Sequence, residues 1–264
     1  MRVTLLGTGG SAGVPMIGGA DGSGEWGDCD PAEPRNVRTR ASIVIEGGAG
    51  DGALLVDTSP DMRHQLLAAR VARVAAVLYT HAHADHITGL DDVRLLNRVM
   101  ERPIEAYGSL ETMREVTARF AYAFKPWQPP WFFRPVLVSH PVASDATLDI
   151  AGLTVRLFDQ DHGFTRSLGL RTGGFGYSTD AVALDERAFD VLEGVDTWVV
   201  GCFQRTPHRT HAWLDRVLEW VNRLKPRRTI LTHMGTDMDW AWLRAHLPAG
   251  IEPGFDGQIL EIQD

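Results

Sequence analysis

The chain has 264 residues, 44% of them hydrophobic, enough to bury a sizeable core as one large domain or two small ones. Its formal net charge of −8 argues against a general nucleic-acid or membrane-surface binder. Cys29 and Cys202 are far apart and give no disulfide framework, and no stretch has transmembrane length or signal-peptide character, so a cytoplasmic, reducing setting is expected.

Strand-like apolar runs open the sequence at residues 2–6, 41–46 and 53–56, with a glycine-rich loop over 8–40 between the first two. A helix is expected at about 60–69, followed by a strand at 74–80. Residues 104–107 read as a strand, and Ser109, an N-cap residue type, opens a helix to about 119. Strands follow at 135–139, 153–158, 168–171 and 175–178. Those at 197–200 and 229–231 alternate with helices at 211–223 and 238–245, and a strand at 258–262 closes the chain. With no linker, composition break or strong repeat, the expectation is one layered α/β domain over 1–264, helices covering stacked sheets.

The run His81-Ala-His83-Ala-Asp85-His86 concentrates three imidazoles and a carboxylate. Burying such groups unpaired is costly, whereas a metal ion satisfies several at once. In a chain with ten histidines, chance assembly of this HxHxDH pattern is on the order of one in a thousand. An apolar strand precedes it and helical spacing follows, which places it on a strand-to-helix turn. There His81 and His83 can face one metal, and Asp85 and His86 a second. Three distant residues also sit at strand ends: His162 after Val155–Phe158, Asp180 after Phe175-Gly-Tyr-Ser-Thr, and His233 in Ile230-Leu-Thr-His. Each alone could be an ordinary turn residue; their order behind HxHxDH forms the pattern.

That order resembles the metallo-β-lactamase superfamily, with Asp57 as the early strand-end acid. The opening Leu6-Gly-Thr-Gly-Gly-Ser-Ala-Gly-Val-Pro15 is similar to the phosphodiesterase branch that includes ribonuclease Z and PhnP-like proteins, and Gly250-Ile-Glu-Pro-Gly-Phe-Asp-Gly257 to the PhnP-like end in particular. The resemblance implies a four-layer αββα fold and two divalent ions, Zn²⁺ or Mn²⁺, between which ligand type cannot choose. It implies His81, His83 and His162 as ligands of the first ion and Asp85, His86 and His233 of the second. Asp180 would bridge, and Asp57 would orient the cluster histidines. Asp85 and His211 are the catalytic candidates. In Thr206-Pro-His-Arg-Thr-His211, read as opening a helix, His211 takes the place of the histidine that touches phosphate, with His208 the alternative. PhnP relatives build a structural zinc from several loop cysteines and a late histidine; this chain has Cys29 alone and Thr236 there. A structural zinc is therefore not expected, and Cys29 is expected to pack as a small buried thiol.

The function implied is hydrolysis of small cyclic phosphodiesters or nucleotide diesters by a hydroxide bridging the metals. A protonated His211 would stabilise the transition state or protonate the leaving alkoxide. A thioesterase or lactonase on the same centre, or a non-catalytic carrier, are the alternatives. Long RNA is disfavoured by the acidic charge and the lack of a Gly/Pro/basic insertion. The aromatic segment 120–133, interrupted by Pro126, Pro129 and Pro130, reads as a flap over the substrate, as core, or as a homodimer contact. Arg166, Arg205 and Arg209 lie near the site motifs and could pair with phosphate, although a solvated surface position is the ordinary alternative for each.

Overall fold

The structure is a computed structural model and describes residues 1–126 and 136–263. Strands β1 (Arg2–Gly7), β2 (Ser42–Glu46) and β3 (Ala53–Val56) form an antiparallel meander. Helix α1 (Met62–Ala69) then crosses to β4 (Val74–Leu78), parallel to β3. The short α2 (Ala84–Ile87) and α3 (Val93–Met100) lead to β5 (Ile104–Ser109), and α4 (Leu110–Arg119) precedes β6 (Leu137–Val142), both strands parallel to β4.

The second half repeats this plan. Strands β7 (Thr147–Ile150), β8 (Leu153–Asp161), β9 (Arg166–Thr172) and β10 (Phe175–Ser178) are antiparallel. Helices α5 (Glu186–Leu192), α6 (Leu214–Leu224) and α7 (Trp240–His246) then link β10 to the parallel β11 (Thr197–Gly201), β12 (Arg228–Thr232) and β13 (Ile251–Pro253). Parallel neighbours need such crossovers, which is why the helices cluster where pairing switches from antiparallel to parallel. Finally β14 (Ile259–Glu261) returns to pair with β1. The sheets run β14-β1-β2-β3-β4-β5-β6 and β13-β12-β11-β10-β9-β8-β7.

Side-chain alternation sets the layers. Val3, Leu5, Ile43, Ile45, Leu54 and Val56 of the first sheet meet Val155, Leu157, Leu168, Leu170 and Tyr177 of the second in the central core. The intervening Leu6, Val44 and Leu55 face outward onto Met62, Leu66, Leu96 and Val116 of the helices. On the far side, Trp198, Val200 and Leu231 pack against Phe189, Val217, Trp220 and Leu243. Both sheet faces are covered, so strands such as Val74–Leu78 are apolar throughout and their burial is continuous. This is the four-layer αββα fold. Among the described residues no helix is long and apolar enough to cross a membrane.

Four elements were not expected: α3, β7, α5 and β13. Helix 211–223 also starts late, at Leu214, so His211 precedes the helix rather than opening it. The backbone there has lateral partners: Ala212 N–H donates to Ala181 O (2.6 Å), Phe203 N–H to Ala212 O (2.9 Å), and Trp213 bridges to Gln204. Extended pairing across 212–213 excludes a helical turn.

Candidate metal centre

The C-terminal ends of β3, β4, β8, β10 and β12 deliver the polar residues that the sequence singled out. Asp57, Asp180 and His233 each follow a strand in the left-handed backbone region, with φ of 64°, 51° and 54°. Such non-glycine conformations cost on the order of 1–3 kcal/mol and persist where the surroundings over-determine them. Here Asp57 N–H donates to Leu78 O (2.9 Å), Ser167 Oγ to Asp180 O (2.8 Å), and Met234 N–H, next to His233, to Thr8 O (2.8 Å). His83 is the N-cap of α2, which carries Asp85 and His86 in its single turn.

The seven proposed ligands come together. Donor atoms of His81, His83 and His162 lie within 4.8 Å of one another, and so do those of Asp85, His86 and His233. Asp180 stands between the two groups. Its Oδ1 is 3.2 Å from His233 Nε2 and 3.7 Å from His162 Nε2, and its Oδ2 is 3.2 Å from His86 Nε2. His86 Nε2 is also 3.3 Å from Asp85 Oδ2. Ligands bound at about 2.0–2.2 Å to a tetrahedral ion sit about 3.3–3.6 Å apart, so these spacings suit atoms that share a cation. The Nε2 atoms of His81, His86 and His233 are buried without a hydrogen-bond partner among the described residues. Such groups are costly unless something charged meets them, and the donor set therefore fits divalent ions.

At His81, His86 and His162 the other ring nitrogen, Nδ1, is committed. His86 Nδ1–H donates to Asp57 Oδ2 (2.7 Å) and His162 Nδ1–H to the Thr210 carbonyl (2.7 Å). Thr80 N–H and Oγ1–H both donate to Asp57 (2.8 Å each), so Thr80 Oγ1 has its lone pair for His81 Nδ1–H at 3.0 Å. Each arrangement turns Nε2 toward the cluster. Thr179 Oγ1–H similarly donates to Asp180 Oδ2 (2.6 Å). Burial opposes ionisation of Asp180 and Asp85, but the surrounding imidazoles outweigh it and hold both carboxyls well below their usual range. At His81 burial dominates and keeps the imidazole neutral. At His86 and His233 burial is outweighed by the neighbouring carboxylates, Asp180 foremost, which favour the protonated ring, so a metal binding there would displace a proton.

His211 joins the cluster. Its Nδ1 is 3.4 Å from Asp180 Oδ1, and its ring lies against Phe203 and His233, centroids 5.0 and 4.9 Å away. Burial and then His233 push its pKa down to about 3, which favours the neutral ring in the absence of a bound anion. The His208 ring lies tilted beside it, centroids 5.1 Å apart, but belongs to none of the donor groups. Thr80, Thr179, Thr210 and Phe203 were missed. The two Thr-His pairs at the ends of β4 and β12 hinted at Thr80, and nothing in the sequence marked Phe203.

The remaining candidates resolve differently. Arg205 pairs with Asp28 and Asp237, and Arg166 with Asp159, whereas exposed Arg209 makes no ion pair among the described residues. Cys29 is buried with Sγ 3.8 Å from Arg38 Nη1. Phe120, Tyr122 and Phe124 pack against the outer core, and Tyr122 donates to Asp91 Oδ1 (2.7 Å). Trp127, Trp131, Phe132 and Phe133 lie outside the described residues.

A family described as the beta-lactamase superfamily domain matches residues 53–234. Across 260 residues, 97% of the chain, the sequence is 29% identical to the octanoyltransferase of Porphyromonas gingivalis, covering 51% of that protein. The chain thus spans about half the length of that curated relative. The crystal structure of a diphosphatase from the PhnP family superposes with a TM-score of 0.87 at 30% identity, covering 99% of this chain and 98% of that one. Zn²⁺-bound PqqB from Methylobacterium extorquens gives 0.74 at 18% identity over 99% and 100% of the two chains, a likeness of fold. The fold implies divalent metal ions, and the His/Asp cluster offers the donors for them. The chain belongs to the metallo-β-lactamase superfamily of metal-dependent hydrolases, with relatives in the PhnP family.

Proposed function

We propose that the protein is a dinuclear phosphodiesterase acting on small cyclic phosphodiesters or nucleotide diesters. The observation that carries this reading is His211. The residues at strand ends and in the HxHxDH turn suffice for two ions with Asp180 shared, and His211, 3.4 Å from Asp180 and also within donor reach of His162, is assigned to a substrate oxygen. Likeness to a PhnP-family diphosphatase over the whole chain supports phosphorus as the reacting atom.

Bound here, two divalent ions, Zn²⁺ or Mn²⁺, would supply Lewis acidity and a water deprotonated near neutral pH. His81, His83 and His162 would hold one, and Asp85, His86 and His233 the other. Asp180, oriented by Thr179, would be the carboxylate shared between them. His211 would donate to a phosphoryl oxygen as charge develops, or give its proton to the leaving alkoxide. Phe203 and His233 clamp its ring, so little reorganisation is needed.

A second reading is an acyl hydrolase, a thioesterase or lactonase. It is favoured by the match to a protein named for octanoyl transfer, though this chain spans half of it. The test is a screen of metal-reconstituted protein against bis-p-nitrophenyl phosphate, 2′,3′-cyclic nucleotides, thioesters and lactones. Phosphodiester turnover well above the acyl substrates supports the proposal. The reverse order overturns it in favour of the acyl hydrolase.

A further inference from the structure

Asp256 is a carboxylate that the proposed chemistry does not use. The turn that carries it is pinned to β1: Gly257 N–H donates to Leu5 O (2.7 Å), and Leu5 N–H donates to Gln258 O (2.9 Å). Both carboxylate oxygens are filled in the same way. Oδ1 accepts from Thr8 N–H (2.9 Å) and Thr8 Oγ1–H (2.8 Å), and Oδ2 from Thr39 N–H (2.7 Å) and Thr39 Oγ1–H (2.6 Å). Four donors on one carboxylate fix its orientation and hold both threonines against it. Burial raises its pKa above the usual carboxylate value, and these four hydrogen bonds oppose the rise.

Each oxygen leads to a different ligand of the same candidate ion. On the Oδ1 side, Thr8 O accepts from Met234 N–H (2.8 Å) and Gly10 N–H donates to Met234 O (3.1 Å), so Thr8 bears on the left-handed backbone of His233. On the Oδ2 side, Thr39 Oγ1 accepts from Gln65 Nε2–H (2.8 Å), and Gln65 Oε1 accepts from Ser59 Oγ–H (2.8 Å). Thr58, next to Ser59, holds the turn of α2: its N–H donates to His86 O (2.8 Å) and its Oγ1–H to Ile87 O (3.2 Å). The packing around this arm is close, since a Cβ on Gly7 would run into Arg40 O, the Gln65 amide and Thr39 Oγ1. Among the described residues no hydrogen bond joins Thr8, Thr39 or Gln65 to His81, His83 or His162. We infer that Asp256 is a positioning residue for one ion of the pair: through Thr8, and through Thr39, Gln65 and Ser59, it places His233 and His86. The ion held by Asp85, His86 and His233 therefore depends on Asp256, and the ion held by His81, His83 and His162 does not. This rests on the dinuclear centre of the phosphodiesterase reading, not on its substrate.

The test is titration of the metal-free full chain with Zn²⁺ against a chromophoric chelator, which resolves two dissociation constants, alongside the melting temperature. Asp256→Asn keeps the shape, but its amide nitrogen cannot accept from a threonine, so one arm opens. One constant should rise about tenfold, the low end for losing a group that orients ligands, while the other stays within about twofold. With the first donor group disabled by His83→Ala that loss should remain, and with the second disabled by Asp85→Ala it should vanish. Thr39→Val opens the Gln65 arm and should reproduce the loss, whereas Thr39→Ser keeps the hydroxyl and should not. That pair decides the question even if Asp256→Asn folds poorly. A lower melting temperature with both constants unchanged would make Asp256 a structural clamp and overturn the inference, as would an equal rise in both. Fewer than two ions in the parent chain would overturn the dinuclear reading and the inference together. Two ions in the parent, with constants insensitive to these substitutions, would overturn the inference alone.

Discussion

His86 Nδ1–H meets Asp57 Oδ2 across 2.7 Å, and neither side chain has any solvent exposure. Asp57 thereby holds His86 directly, and His81 through the Thr80 hydroxyl, with Nε2 of each toward the cluster. Asp57→Asn keeps the shape and tolerates the left-handed backbone, but it removes the charge and offers an amide that cannot serve both partners. Losing such an orienting acid typically weakens metal binding by about 10–100-fold. Competition with a chromophoric chelator should show that loss; unchanged affinity would mean that Asp57 does not orient the ligands.

His211→Ala should lower turnover by about 10²–10⁴-fold while metal content holds. The variant separates the two roles when assayed on a cyclic diester and on an activated aryl diester. A leaving-group acid is needed most for the alkyl alkoxide and least for p-nitrophenolate, which departs unaided. Equal loss on both would indicate stabilisation of transition-state charge. No loss on either, with metals intact, would remove His211 from the mechanism and move attention to His208.

Arg38 ties the long loop after β1 to the segment behind His233. It is 2% exposed and donates to Met238 O (2.6 Å), Gly235 O (3.3 Å) and Asn36 Oδ1 (3.2 Å). Arg38→Ala leaves these buried acceptors without donors and opens a cavity, at a cost of about 3 kcal/mol or more. For a chain of this size that lowers Tm by roughly 6–12 °C, readable by calorimetry. A shift under a few degrees would show that the loop is held by other contacts.

Much of the fold was legible because its strands are short apolar runs ended by turn residues. Residues 53–56 and 175–178 are placed without error, and β2 falls within one residue. Three of the unexpected elements have weak patterns. Strand β7 (Thr147–Ile150) is four residues at an edge, β13 (Ile251–Pro253) is three with a proline, and α5 has a single helical turn of buried side chains, Ala188, Phe189 and Leu192. The site was legible for a related reason: His162, Asp180 and His233 each follow an apolar run, where strand direction delivers a side chain to the sheet end. Thr210 was not, since it acts through its carbonyl, which every residue type possesses. Phe203 was not, because its place depends on pairing with Ala212 and Gly235. The left-handed backbone at Asp57, Asp180 and His233 is equally silent in sequence, since that conformation is marked only when glycine adopts it.

The central claim is that Asp180 joins two cation sites built from His81, His83 and His162 on one side and Asp85, His86 and His233 on the other. Elemental analysis of purified, metal-reconstituted protein, alongside Asp180→Ala, tests it most directly. The account predicts about two divalent ions per chain in the parent protein and a clear loss in the variant. Full metal content in Asp180→Ala, or no stoichiometric metal in the parent, would contradict it.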